Sequence, residues 1–421
     1  MRRVLLIAYY FPPSVDAGAK RALGFARHLG AHGFDVTVLT VRDGNYATAP
    51  DDAWEDGPEI VRVPEERFPW QNGAPAGRPE AAASSGASAS ALRQMVRTAL
   101  YVPDAWRGFR RPAVRRALAL HAEHTFDVVW TTSSPWTLLG VGAALRDAGL
   151  PWVADLRDLW LQNQYGYPHG RMRRAVDARL ERDWLARADA ITTTTDAQAE
   201  LLRTDAFGPP VHTVRNGFLA TTDAERDPCA DADRFRIVFA GKLYAHADHS
   251  AVPFLNVLAA WRERAPDEAL RVRADFYGRV DDGFDAAVAA RGLTEIVHFH
   301  GLVGRDRVAA ELADADVALV LVPRAHREIV VTKLYDALGA LTPVLLLGPT
   351  DGEAAEILCG VGGGVACESG DTGGALAWLR ARAAAGRTTD AERATLRERV
   401  APYAYASLAG ELASVLDGAI R

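Results

Sequence analysis

The chain has few cysteines, no excess of positive charge and no long apolar run. Its 421 residues include three cysteines, an odd number whose spacing does not suit metal ligands: Cys229, Cys359 and Cys367. This content argues against a disulfide framework or a zinc site and fits a reducing cytoplasm. The formal net charge of -6 gives no support for nucleic acid as the main partner. We therefore expect a cytoplasmic protein that has no zinc site and does not have nucleic acid as its main partner.

Two other familiar signals are also missing. No stretch reaches the roughly 18 apolar residues that a membrane-spanning helix needs. The opening MRRVLLIA runs straight into YYFPP without a small-residue cleavage site, which predicts a buried first strand rather than an export signal. A nicotinamide-type dinucleotide site would need the motif G-x-G-x-x-G in the loop after that strand. Only Gly18 falls in this predicted loop, so the motif is absent.

Length and periodicity predict two domains. The chain exceeds what one hydrophobic core usually serves, and short apolar runs alternate with helical segments through both halves. This alternation favours two doubly wound α/β domains in tandem. We expect a first domain over 1–222 with a mobile loop at about 72–91, and a polar linker at 220–234. A second domain over 234–400 and a last helix in 401–421, packing back on the first domain, complete the prediction.

A basic segment lies within the first domain. Between residues 93 and 116 there are seven arginines and one acidic residue, Asp104, interleaved with apolar and aromatic side chains. One interpretation is a patch that contacts an anionic membrane or an anionic acceptor, at the inner face of the membrane. The other is a solvated helix face with some of its side-chain stems packed, which is the commoner outcome for such charge runs.

Polar residues follow two predicted strands of the first domain. The carboxyl ends of parallel strands are where open α/β sheets bind ligands, so these residues are candidates for a binding cleft. For the second group, a local ion pair that only fixes the loop is an equal alternative. The candidates are Asp16, Gly18 and Arg21 after the first strand, and Asp155, Arg157 and Asp158 after the strand beginning near Trp152.

The stretch from Arg324 to Gly348 carries the strongest chemistry. Glu328 and Asp336 stand eight residues apart with Lys333 between them, and an apolar periodic segment follows. The pattern predicts a helix beginning near Thr332, which we expect to be its N-cap. A helix N-terminus beside a lysine suits a phosphate, and carboxylates nearby suit sugar hydroxyls.

Six motifs in order resemble a known family. The set resembles the retaining glycosyltransferases of family 4, which have the GT-B fold of two Rossmann-like domains facing each other across a cleft, and it covers nearly the whole chain. The motifs are FPPSVDAGAKR, HTVRNG, FAGKLY, VHFHGLV, ADADVALVLVP and EIVVTKLYDALGALTPVLLL. The resemblance implies transfer of a sugar from a nucleoside diphosphate sugar to an acceptor hydroxyl, with retained anomeric configuration. It implies no cofactor and no metal.

The resemblance also implies roles for particular residues. In the second domain, Glu328 meets the donor sugar, Asp336 holds the ribose, and Lys333 faces the diphosphate as a catalytic group. In the first domain, Asp158 orients the acceptor and takes part in catalysis. The other implied donor contacts are Gly18, Gly241, Lys242, Arg279, Val331 and Thr332, and the implied acceptor contacts are Asp16, Arg21, Asp155 and Arg157; Arg21 is in addition a candidate for the leaving phosphate.

The chain departs from the family pattern in three places. Asp336 stands where the family normally has glutamate, and Ala19 replaces the second of two adjacent glycines. Where a second phosphate-binding base is usual, the chain has Ala247, Asp248 and His249. Either His249 substitutes, or fewer charges hold the phosphate, or the donor is unusual. A nucleotide-sugar epimerase, a non-glycosidic coupling enzyme and a silent paralogue that serves as a partner subunit are the alternative functions.

Overall fold

A computed structural model describes most of the chain as two compact units. The described residues are 1–14, 16–44, 46, 57–66, 101–163, 167, 169–219, 234–243, 250–280 and 283–420. The first unit contains the described residues up to Arg215 together with those from Leu408 onward, and the second contains those between Asn216 and Ser407. The predicted loop at 72–91, and the predicted linker except Arg234, lie outside the described residues.

The first unit is built on a parallel sheet of seven strands. Its strand order is β3-β2-β1-β4-β5-β6-β7. The chain places β2 and β3 on one side of β1, and then β4 to β7 on the other side. The elements are β1 (Arg2–Ala8), α1 (Ala17–His28), β2 (Phe34–Val41), β3 (Glu59–Val63), α2 (Arg110–His124), β4 (Val128–Ser133), α3 (Thr137–Asp147), β5 (Trp152–Leu156), α4 (Arg171–Leu185), β6 (Ala190–Thr193), α5 (Asp196–Thr204) and β7 (Val211–Thr213), with 3-10 turns at Leu29–His32 and Arg107–Phe109.

The second unit repeats this plan with six parallel strands. Its order is β10-β9-β8-β11-β12-β13. The chain again places two strands, β9 and β10, on one side of the unit's first strand and the remaining strands on the other side. The elements are β8 (Phe235–Lys242), α6 (Val252–Arg264), α7 (Pro266–Ala269), β9 (Val272–Arg279), α8 (Phe284–Ala290), β10 (Val297–Gly301), α9 (Arg305–Asp314), β11 (Val317–Leu321), α10 (Thr332–Gly339), β12 (Val344–Leu347), α11 (Glu353–Val361), β13 (Gly364–Cys367), α12 (Thr372–Ala385), α13 (Asp390–Val400) and α14 (Tyr405–Ile420), with 3-10 turns at Arg324–His326 and Ala401–Tyr403.

The central strands of both sheets are covered on both faces. Residues 4–8 of β1 and all of β4 are buried, and so is β12 with its sequence VLLL. Near-continuous apolar runs of this kind are typical of parallel strands that have helices on each side. The prediction of two doubly wound α/β domains is therefore confirmed, and each domain has its own core.

The last helix, α14, begins in the second unit, and its residues from Leu408 onward group with the first. There, the Asp417 carboxylate forms an ion pair with Arg2 of β1, and Gly410 lies against the His32 ring. Within the described residues, no helix is both long and apolar enough to cross a membrane.

Candidate functional site

Two cationic side chains stand side by side where β8 and β9 end. In the parallel register, Gly241 pairs with Gly278 and Lys242 pairs with Arg279. The backbone N–H of Leu243 then donates to the Arg279 carbonyl oxygen at 2.9 Å, which extends the pairing by one residue. Both Lys242 and Arg279 are exposed. Because parallel strands end at the same edge of a sheet, these two charges lie at the edge where such sheets bind ligands.

Glycine at the end of β8 lets a lysine from another element come close. Gly241 has a φ of +148°, a backbone conformation that residues other than glycine rarely adopt. A Cβ atom at this position would overlap Lys333 Cε. Gly278 has φ +124, and a Cβ atom there would overlap the Gly241 carbonyl oxygen. Both glycines are therefore needed for the strand ends and the lysine to pack together.

Lys333 lies in the first turn of α10. Its ammonium nitrogen donates to the Lys242 carbonyl oxygen at 3.3 Å and sits 4.7 Å from the centre of the Phe239 ring. The contact with the Lys242 backbone brings Lys333 to the edge that also carries Lys242 and Arg279. Three cations and the N-terminal end of a helix face this edge, an arrangement that attracts a multiply charged anion such as a diphosphate.

The start of α10 differs from the sequence prediction in its cap. The helix does begin at Thr332, but Thr332 is its first helical residue and Val331 is the N-cap. The prediction that Thr332 caps the helix is therefore wrong. Valine offers no side-chain acceptor, so its side chain cannot bind the backbone N–H groups of the first turn. Val331 and Thr332 are both half-buried.

The two carboxylates of this region occupy different surroundings. Asp336 is half-buried one turn after Lys333, and both side chains line a small cavity with Ala240 and Leu319. Glu328 is exposed in the turn that precedes α10. The structure thus brings Asp336 and Lys333 to one cavity and places Glu328 in the connection leading to them.

In the first unit, Arg21 of α1 and Asp155 of β5 form a buried ion pair. Arg21 donates from Nε to Asp155 Oδ2 at 2.9 Å and from Nη2 to Asp155 Oδ1 at 2.7 Å. The two side chains are 1% and 0% exposed. Thr132 Oγ1 and Thr192 Oγ1 donate to the same carboxylate at 2.7 and 2.6 Å. One carboxylate thus joins α1 to three adjacent strands, β4, β5 and β6.

Arg157 lies nearer the surface and contacts the start of α1. Its guanidinium is half-buried and donates to the Ser133 carbonyl oxygen at 3.2 Å and to the Ser134 carbonyl oxygen at 3.0 Å. It also lies 5.8 Å from the centre of the Tyr10 ring. A Cβ atom at Gly18 would overlap this guanidinium, so the absence of a side chain at Gly18 makes room for Arg157.

The remaining first-unit candidates are Asp16 and Asp158. Asp16 is the N-cap of α1, although its side chain makes no capping hydrogen bond, and Ser14 Oγ donates to Asp16 Oδ2 at 3.2 Å. Asp158 is half-buried in the segment after β5. Gly18, expected in the loop after β1, lies instead in the first turn of α1 against the Arg157 guanidinium, because α1 already begins at Ala17. Arg21, one turn further along α1, is buried with Asp155.

Sequence reasoning overlooked three residues that build these sites. Gly278 carries a recoverable signal, because GK at 241–242 and GR at 278–279 repeat the same strand–glycine–base pattern. Thr132 and Thr192, which bind Asp155, carry none, since threonine at a strand end is ordinary. His249, the predicted substitute for a phosphate-binding base, lies outside the described residues, as do Ala247 and Asp248.

The chain matches a family model over most of its first unit. Residues 17–217 match the glycosyl transferase 4-like domain. No curated protein matches the chain in sequence.

Solved structures resemble the whole chain. Sucrose-phosphate synthase from Thermosynechococcus elongatus is 17% identical with a TM-score of 0.65, over 99% of this chain and 98% of that one. WaaG, a glycosyltransferase involved in lipopolysaccharide biosynthesis, is 16% identical with a TM-score of 0.58, over 99% and 100%. HepE of Anabaena, in complex with UDP-glucose, is 15% identical with a TM-score of 0.56, over 99% and 95%. At these identities the likeness shows the fold, and the predicted GT-B fold is confirmed.

Proposed function

Since the chain carries a glycosyl transferase 4-like domain and has the GT-B fold, we propose that it transfers a sugar from a nucleoside diphosphate sugar to an acceptor hydroxyl with retained anomeric configuration. The observation that carries the proposal is the group of cations at the ends of β8 and β9, with Lys333 against the Lys242 backbone. HepE is solved with UDP-glucose, which makes that compound the first donor to test.

The donor diphosphate would bind at these cations. Lys242, Arg279 and Lys333 would stabilise the negative charge that grows on the diphosphate as the glycosidic bond breaks. Fixed positive potential of this kind takes the part that a metal plays in other transferases, so we propose a metal-independent reaction. Asp336, beside Lys333 at the same cavity, would bind the ribose, and Glu328 would bind hydroxyls of the donor sugar.

Retention need not involve a nucleophile on the protein. A retaining hydrolase places a carboxylate nucleophile across the bond from an acid, with the two about 5–5.5 Å apart. A transferase has another route, in which the leaving phosphate itself deprotonates the acceptor hydroxyl on the same face of the sugar. In that route the acceptor oxygen bonds to the anomeric carbon, the diphosphate leaves with the bonding electrons, and the acceptor proton passes to the diphosphate.

On the acceptor side we propose one role for the residues around the start of α1 and the segment after β5, and another for the buried ion pair. Asp16, Gly18, Arg157 and Asp158 would approach the acceptor, with Asp158 orienting its hydroxyl. Arg21 and Asp155 are enclosed by each other and by strand threonines, so we now assign them to holding the loops in position rather than to touching the acceptor. The cysteine content of the sequence supports our placing this reaction in the cytoplasm.

Lys333→Ala tests the proposal. The assay measures the nucleoside diphosphate that is released when the sugar of UDP-glucose or another donor is transferred to an acceptor or to water. It is run with and without EDTA. We expect at least a tenfold fall in turnover, and about 10²-fold by analogy with a lost oxyanion-hole donor, with no effect of EDTA. Arg264→Ala, an exposed cation of the same unit outside the site, is the control. Equal rates for Lys333→Ala and wild type would refute the phosphate role.

A further inference from the structure

The outward face of α4 presents apolar side chains among arginines. Met172 is 88% exposed and Val176 is 48% exposed, and their four-residue spacing puts them on one face of the helix. The helical period also brings Arg179 to this face and puts Arg171 and Arg182 at its border, and all three are exposed. Isolated apolar side chains are normal on a surface, but a pair bordered by cations on one helix face is a recognisable pattern.

Buried charges fix the rotation of α4 that produces this face. Arg173 Nε donates to Asp177 Oδ1 at 2.7 Å, and Arg173 Nη2 donates to the Pro103 carbonyl oxygen at 2.6 Å. Tyr167 donates its hydroxyl to Asp177 Oδ2 at 2.6 Å. Glu181 is also buried on this inner face. Because these polar contacts would be lost if the helix turned, Met172 and Val176 stay directed outward.

Positive side chains outnumber negative ones on and beside this outer face. The exposed acidic side chain of α4, Asp183, lies on this face too, eleven residues after Met172, where it accepts from Arg187 at 3.0 Å. The chain as a whole is acidic, with a formal net charge of -6. The arginines of α4 therefore form a local positive surface on an acidic protein, and it is this surface that would attract an anionic partner.

On one interpretation of the sequence, the basic segment 93–116 is a patch for an anionic membrane or acceptor. The described part of this segment is less suited than α4 to binding an anionic partner. Arg110 donates to the Gly140 carbonyl oxygen at 3.1 Å and packs over the Trp184 ring. Arg115 and Arg116 have acidic partners in Glu66 and Glu123, at 3.4 and 3.3 Å. Residues 93–100 lie outside the described part of the chain.

We propose that α4 docks on an anionic lipid surface. Its arginines would bind lipid phosphates, while Met172 and Val176 would enter the headgroup region. α4 follows β5 and returns to the start of β6, so its N-terminal end, with Met172, lies toward the carboxyl edge of the sheet. That is the edge that carries Arg157, and docking would bring the acceptor loops of the first unit close to lipid.

Vesicle sedimentation of the full chain tests this proposal without requiring a donor or an acceptor. We expect binding to phosphatidylcholine vesicles that contain phosphatidylglycerol, and none to phosphatidylcholine alone. Arg179→Gln/Arg182→Gln should lower the partition coefficient about fivefold for each arginine lost, so about 25-fold together. Met172→Ser/Val176→Ser should lower it roughly tenfold through the loss of apolar contact.

Matched changes in the second unit separate this face from general surface effects. Leu270→Ser removes another exposed apolar side chain, which is 62% exposed, and Arg264→Gln/Arg271→Gln removes two exposed cations. Both controls should bind vesicles as wild type does. No binding by wild type, equal loss in the controls, or full binding by the α4 variants would each overturn the proposal. A dimer that Met172→Ser/Val176→Ser dissociates, without vesicle binding, would assign the face to a second copy instead.

Discussion

Replacing Arg21 by methionine separates a positioning role from an acceptor-binding role for the Arg21–Asp155 pair. Methionine keeps much of the apolar stem but removes two hydrogen bonds to Asp155 and one to the Arg215 carbonyl oxygen. Thr132 and Thr192 would still donate to the Asp155 carboxylate, which would remain buried. Its charge would no longer have a buried cationic partner.

The size of the loss follows from this geometry. Breaking a buried ion pair by removing one partner costs about 3–5 kcal/mol of folding free energy. Because two threonine hydroxyls still bind Asp155, we expect the lower end, about 3 kcal/mol. For a unit of this size, a kilocalorie shifts the melting temperature by roughly 2–4 °C, so Arg21→Met should lower Tm by roughly 6–12 °C. Arg21→Met/Asp155→Leu should recover part of the loss, since it leaves no unpaired charge.

The assay combines thermal unfolding with kinetics measured well below the lower Tm. If the pair positions the loops, stability falls and the KM for the donor stays close to wild type. Unchanged stability together with a large rise in the KM for the acceptor would refute this reasoning and restore Arg21 to the acceptor site.

Two further changes probe a carboxylate of the candidate site and a buried carboxyl of α4. Glu328→Gln should impair sugar transfer more than nucleoside diphosphate binding, because its proposed contact is with the donor sugar; an equal loss of both, by kinetics and calorimetry, would contradict that role. Burial raises the pKa of Glu181 from its usual 4.5 to about 8, so wild type should lose stability as pH rises from about 4.5 to about 8. Within that window the free energy of unfolding of wild type should fall, relative to that of Glu181→Gln, by about 1.4 kcal/mol per pH unit. Glu263→Gln, an exposed control, should follow wild type. Parallel stability curves for wild type and Glu181→Gln would show that Glu181 ionises normally.

Apolar strands bounded by turn residues could be predicted closely. The bounds of β12 can be read from the sequence, because Pro343 and Gly348 flank its four apolar residues. The edge strands β3 and β13 were not predicted. Their residues are mostly exposed or half-buried, so their sequences EIVRV and GVAC lack a clear apolar run.

Site features that lie within one element could be predicted from the sequence, whereas those that join distant elements could not. Lys333 and Asp336 could be grouped because helical spacing puts residues three apart on one face. The pairing of Arg21 with Asp155 joins residues 134 positions apart, and only the folded sheet shows it. Likewise, the outward position of Met172 depends on the buried contacts of Arg173, which a count of arginines does not reveal.

Binding of nucleoside diphosphate sugars tests the central claim most directly. Thermal unfolding of wild type and Lys333→Ala should be followed with a panel that begins with UDP-glucose and varies the base and the sugar. A donor at about a hundredfold its Kd should stabilise the fold by about 2.7 kcal/mol, and its shift should be much smaller for Lys333→Ala. The account predicts such a donor. Stabilisation of wild type by none of the panel, or equal stabilisation of both proteins, would contradict it.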